Sequence, residues 1–157
     1  MVDFITSFKK GLDAAIIASD NRKEIDLVFK ELDEQIKTAT NGKVNIYIKT
    51  SLGTVLSNMA KSISIGMGQG TQDYRPTPDK IVAKNPTIQN LNEKVLADIK
   101  ISSSGYPCTI TIAGYQHICE DKESLEQTLI LLLEDPMIGA VLNDLVNLEN
   151  RSESSSC

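Results

Sequence analysis

The sequence predicts an α+β domain: an antiparallel sheet of about four strands, with an N-terminal helical hairpin and two C-terminal helices packed on it. Three observations predict it. Two stretches with apolar residues at three- and four-residue spacing open the chain, and two more close it. Between them lie short stretches in which apolar and polar residues alternate, the period of a half-buried strand. Strands grouped between helices, rather than alternating with them, point to a segregated architecture and not to a parallel α/β sheet.

The first helix covers Val2 to Ser19, with Ile5, Phe8, Leu12, Ala15 and Ile16 on one face. Asn21 followed by Glu24 has the form of a capping box, so a second helix is expected to start there. Its face is Ile25, Val28, Phe29, Leu32 and Ile36, and Asn41-Gly42 stops it. The two helices then form the hairpin.

Val44, Ile46 and Ile48 alternate with Lys43, Asn45, Tyr47 and Lys49, which makes a strand with one apolar face. Residues 52–65 fit either state: Leu52, Val55, Leu56, Met59 and Ile63 follow a helical stripe, whereas Gly53 and the run Ser62 to Ile65 favour a strand. Gly66 to Pro78 is rich in Gly, Pro and polar residues and reads as a long loop. Ile81-Val82-Ala83 is a short strand closed by Asn85-Pro86, and Val95 to Ile101 is the next alternating strand, turned by Ser102 to Pro107.

Cys108 to Cys119 then reads as a tight hairpin. Asp121 caps a helix with Leu125, Leu129, Leu132 and Leu133 on its face. Asp135-Pro136 starts another, with Pro at its tolerated first position, carrying Ile138, Val141, Leu142, Leu145, Val146 and Leu148. One domain over residues 1–150 is expected, followed by a disordered polar tail at 151–157. Hydrophobic residues at 41% and charged residues at 24% place the chain among ordinary globular sequences rather than disordered ones.

Charge and composition narrow the function classes. Sixteen basic against twenty-one acidic residues leave a formal charge of -5, and aromatics are 4% with no Trp, so nucleic acid is not the expected partner. No apolar run approaches the roughly 18 residues of a membrane span. The opening decapeptide lacks the apolar core of a secretory signal, and three cysteines are too few for a disulfide scaffold. A cytoplasmic protein without a membrane segment is expected.

The hairpin gathers most of the residue types that do redox or metal chemistry. With a two-residue turn at Ala113-Gly114, Cys108 faces Cys119 and Ile110 faces His117; a three-residue turn shifts the register and destroys the alignment. Two thiolates and an imidazole are three of zinc's four ligands, but no Cys-x-x-Cys spacing accompanies them. A redox pair needs an exposed thiol of low pKa, and no Lys, Arg or helix start is evident before Asp121. The third reading makes both cysteines small buried hydrophobes that continue the stripe of Ile110 and Ile112.

Elsewhere the glycines of Gly66 to Gly70 lack the lysine and the strand-to-helix context of a phosphate loop, and no cofactor motif is present. If that loop binds a partner, Gln69, Asp73, Tyr74 and Arg75 are the groups placed to touch it. Leu129 to Leu133 is apolar nearly all round, more than one packing face needs, which suggests the N-terminal helices or a second subunit of a homodimer as the extra contact. The expected function is a non-enzymatic protein-binding module, such as an adaptor, dedicated chaperone or immunity-type protein, using an acidic surface and an apolar helical face. The alternative is a small thiol, redox or metal-dependent enzyme centred on Cys108, His117 and Cys119.

Overall fold

The computed structural model describes residues 1–55, 59, 77–90 and 92–148. The element order is α1 (Phe4–Ala39), β1 (Asn45–Lys49), β2 (Asp79–Lys84), β3 (Lys94–Ser102), β4 (Gly105–Ile112), β5 (Tyr115–Cys119), α2 (Lys122–Glu134) and α3 (Pro136–Val146). The five strands form one antiparallel meander in the order β1-β2-β3-β4-β5. This is the predicted α+β class, with five strands in place of about four.

The N-terminal helical hairpin is not formed: α1 is a single helix of 36 residues. Ser19 to Arg22 contains neither Gly nor Pro, so nothing local breaks the backbone period, and the Asn21/Glu24 pattern of a cap is overridden. Asn21 instead donates from Nδ2 to the Ser104 carbonyl at 3.0 Å, and Arg22 donates to the Ser103 carbonyl. The polar stretch that looked like a helix boundary is where the β3–β4 turn docks on the helix. The cap that does start α1 is Asp3, which accepts from the Thr6 amide at 3.0 Å.

The C-terminal half of α1 lies on one face of the sheet. Ile25, Val28 and Phe29 are buried there against Ile46, Ile81, Ile99 and Ile110, with Leu32 and Ile36 packed at the margin. Asp33 Oδ1 accepts from the Ile46 amide at 2.9 Å, which occupies a free donor of the edge strand β1. In β3 a register shift leaves Leu96 without a partner on β2, which lets the consecutive residues Leu96 and Ala97 both be buried.

Asp121 and Ser124 form a reciprocal capping box at the start of α2, and the α2 residues Leu125, Leu129 and Leu132 enter the same core. Asp135 accepts from the Met137 amide at 2.8 Å with Pro136 in the first turn of α3, as the sequence predicts. The surplus of α2 is small: Leu133 is half-buried, and only Ile130 and Leu131 are exposed. Residues 52–55 and 59 are helical, while the rest of the ambiguous 52–65 stretch, most of the Gly66 to Pro78 loop and the 151–157 tail lie outside the described residues.

Candidate functional site

The hairpin adopts the two-residue turn. Ala113 and Gly114 both have positive φ, 49° and 86°, the backbone that matches the right-handed twist of paired strands. The register therefore places Cys108 opposite Cys119, Ile110 opposite His117 and Ile112 opposite Tyr115. All six point to the face that carries the helices, but α2 covers only the end of the hairpin away from its turn. Cys108 and Cys119 are fully buried free thiols, His117 is half-buried, and Tyr115 is exposed.

Cys119 Sγ lies 3.4 Å from the Thr128 hydroxyl of α2, and that hydroxyl donates onward to the Ser124 carbonyl at 2.8 Å. The Cys119 sulfur beside it, acting together with burial, pushes the Cys108 thiol well above the usual thiol range. The hydrogen bond from Cys108 holds the Cys119 thiol below the usual thiol range. Reagents have no path to that sulfur, because both cysteines sit beneath α2 in the same core as Ile110 and Leu125. Among the described residues no group of three or more His, Cys, Asp or Glu side chains is placed to hold a metal ion.

These facts give a direct measurement. In a Cys157→Ser background, native-state alkylation of Cys108 and Cys119 is expected to be at least ~100-fold slower than in denaturant, since the thiols react only through opening of the core. Fast reaction of either thiol near neutral pH would reverse this assignment.

A second concave region, of about 340 Å³, lies at the β2–β3 connection, lined by residues that include Lys84, Asn85, Gln89, Asn92 and Glu93. The cysteines are at the opposite end of the sheet, because β3 starts beside this cavity and ends beside Cys108. Its central groups are engaged in structure. Asn85 Nδ2 donates to the Leu145 carbonyl at 2.8 Å, its Oδ1 accepts from the Thr87 amide and hydroxyl, and Asn92 brackets its backbone on both sides. Next to it, Tyr47 donates to Glu93 at 2.6 Å and Lys49 pairs with the same carboxylate. Burial pushes the Tyr47 hydroxyl up to about 12, so it stays a donor across the physiological range.

Gln69, Asp73, Tyr74 and Arg75 lie outside the described residues. The larger feature is one the sequence reading assigned to the core. Ile5, Phe8, Leu12 and Ile16, expected with Ala15 as the packing face of the first helix, are 50% to 69% exposed, Ala15 is exposed too, and Phe4 beside them is 76% exposed. The described part of the body makes no buried contact with α1 before Ile25, so the N-terminal half of the helix projects from the sheet.

A signal for this was present. At about 100° per residue, the strip of Phe8 and Leu12 lies about 130° around the helix from the face of Ile25, Val28, Phe29 and Leu32. One straight helix cannot lay both on one sheet. On the line that continues the core face, the projecting half carries the small residues Ser7, Gly11, Ala14 and Ala18.

Comparison with protein-family models, with curated proteins and with solved structures finds no match. Among the described residues no helix is long and apolar enough to cross a membrane.

Proposed function

We propose that the chain is a non-enzymatic protein-binding module of the cytoplasm, of the adaptor, chaperone or immunity type. It engages its partner through the apolar strip on the projecting half of α1. The observation that carries this reading is the exposure of Phe4 and Phe8 at 76% and 65% on a capped, fully formed helix. With about 200 Å² per phenylalanine and about 100 Å² per aliphatic side chain, the strip leaves on the order of 500 Å² of apolar surface in water. Continuous patches of that size mark interaction sites.

The magnitude also bounds the affinity. At about 25 cal/mol per Å², covering the strip is worth roughly 12 kcal/mol before association costs of about 4–15 kcal/mol are met. The strip alone therefore suits a moderate complex, and flanking polar contacts set its specificity. Residues 120–148 carry seven acidic side chains and one lysine, which supports an acidic second contact surface on α2 and α3.

The alternative reading, thiol or metal chemistry at Cys108, His117 and Cys119, is favoured by the facing register and opposed by the burial of both sulfurs. One experiment separates the two. The chain purified from its native host is expected to retain a stoichiometric bound protein, to keep it in Cys108→Ser/Cys119→Ser and to lose it in Phe8→Glu. Retention by Phe8→Glu together with loss in the double serine variant would overturn the binding reading.

A further inference from the structure

We propose that the occupant of this strip is a second copy of the chain, paired antiparallel about Leu12. The inference rests on the protein-binding reading and names its partner.

Length is the first argument. Apart from a half-buried Ala18, the exposed half of α1 runs from Phe4 to Asp20, and Leu12 is its midpoint. Reversal about Leu12 overlaps the whole projecting stretch of both helices and ends where Asn21 meets the β3–β4 turn of each body. It sets Leu12 against Leu12 of the second copy, and Phe8 against Ile16 in both directions, which is the self-complementarity a two-fold interface requires. Each strip then lies wholly against the projecting stretch of the other copy, with Phe4 opposite Asp20 and Ile5 opposite Ser19.

Direction is the second. Because the strip lies about 130° from the core face of the same helix, the second helix sits on the side away from each sheet. The two bodies lie at opposite ends of the pair and do not compete for space.

Charge is the third. Lys9 and Asp13 flank Leu12 on the same side of the strip. Reversal brings Lys9 of one copy within about two residues' rise, roughly 3 Å along the axis, of Asp13 of the other. The two lysines and three aspartates of residues 3–20 leave no cationic face for an anionic lipid surface, which disfavours a membrane as the occupant.

Area is the last. Two strips together bury on the order of 1,000 Å², the size at which a specific interface becomes credible. The helix is already formed, capped at Asp3 and continuous with its docked half, so pairing carries no nucleation cost.

The test is sedimentation of the full chain between 1 and 100 μM. The expected result is a species of twice the chain mass, and a Leu12→Glu variant that is monomeric, with the dissociation constant raised at least ~100-fold by two carboxylates brought together on the axis. Leu12 is exposed and lies outside the core of the described residues, so helical circular dichroism and the protection of the hairpin thiols should be unchanged in the variant. In a Cys157→Ser background, Leu12→Cys should be joined rapidly to its counterpart by a short thiol–thiol crosslinker. Phe4→Cys should not, being about 24 Å from its own counterpart along the pair.

A monomer at 100 μM overturns the proposal, as does crosslinking of Phe4→Cys at the rate of Leu12→Cys. If the chain is monomeric but a host protein bound to it is lost on Leu12→Glu, the dimer fails and the protein-binding reading stands. If the chain is monomeric and Leu12→Glu alters neither its mass nor its bound proteins, both fail.

Discussion

Gly105→Ala is expected to cost about 3 kcal/mol of stability and to lower the thermal midpoint by about 6–12 °C. Gly105 opens β4 at φ 85°, a conformation that costs an L-residue about 1–2 kcal/mol, and a Cβ there would stand 2.6 Å from Asn21 Cβ and 3.2 Å from the Arg22 amide nitrogen and the Asn21 carbonyl carbon. Those atoms belong to the middle of α1 and cannot retreat singly. Relief requires lifting the helix, which breaks the bonds that Asn21 and Arg22 donate to the turn.

The control is Gly42→Ala, at φ 78° with nothing within 4 Å of its added Cβ. It should show the backbone cost alone, about 1 kcal/mol. Denaturant unfolding of the two variants side by side measures the difference. Equal losses would mean that the contact between turn and helix is loose. Because this contact is the last fixed point before α1 leaves the body, Gly105→Ala should also weaken whatever binds the strip without changing a residue of it.

That same contact shows why part of the architecture could be read from the sequence and part could not. Alternation in Val44 to Lys49 and Val95 to Ile101, and the Asp caps at 121 and 135, are local signals whose physics acts within a few residues, and the structure has strands and helices there. Whether Asn21 caps a helix or donates across 83 residues to Ser104 is a tertiary question. The local pattern reads the same in both cases, and only the absence of Gly or Pro nearby favours a continuous helix.

The hairpin site was legible for a similar reason, since a two-residue turn fixes every facing pair once its type is known. Ala113 at φ 49° occupies a position where Asn or Gly would have announced the turn, so the register could not be decided from the residues alone. The fate of the first apolar stripe was least legible. Periodicity reports that one side of a helix avoids water, but not which body covers it. The rotation between the stripes of α1 is the only trace that the cover is not the chain's own sheet.

Asn85→Leu is the second large effect, with an expected loss of about 3 kcal/mol concentrated in α3. Asn85 is a nearly fully buried polar side chain, and it holds together three parts of the fold that no strand or helix joins. Its amide donates to the Leu145 carbonyl near the end of α3, and its oxygen takes both hydrogens offered by Thr87, while its backbone is bound by Asn92 before β3. Leucine has similar volume and no polar atom, so the substitution removes the bond to the Leu145 carbonyl and both bonds from Thr87, at about 1 kcal/mol each.

Thr87→Val removes one hydroxyl at the exposed edge of this cluster and should cost only about 1 kcal/mol. Amide hydrogen exchange is the discriminating measurement. In Asn85→Leu, protection of residues 136–146 should fall well below that of β3 and β4, because α3 loses its tie to the β2–β3 connection while the sheet keeps its ladder. If exchange instead rises uniformly, or if stability equals that of the native chain, Asn85 is not the tie. The C-terminal helix would then be held by the packing of Ile138 and Leu145 alone.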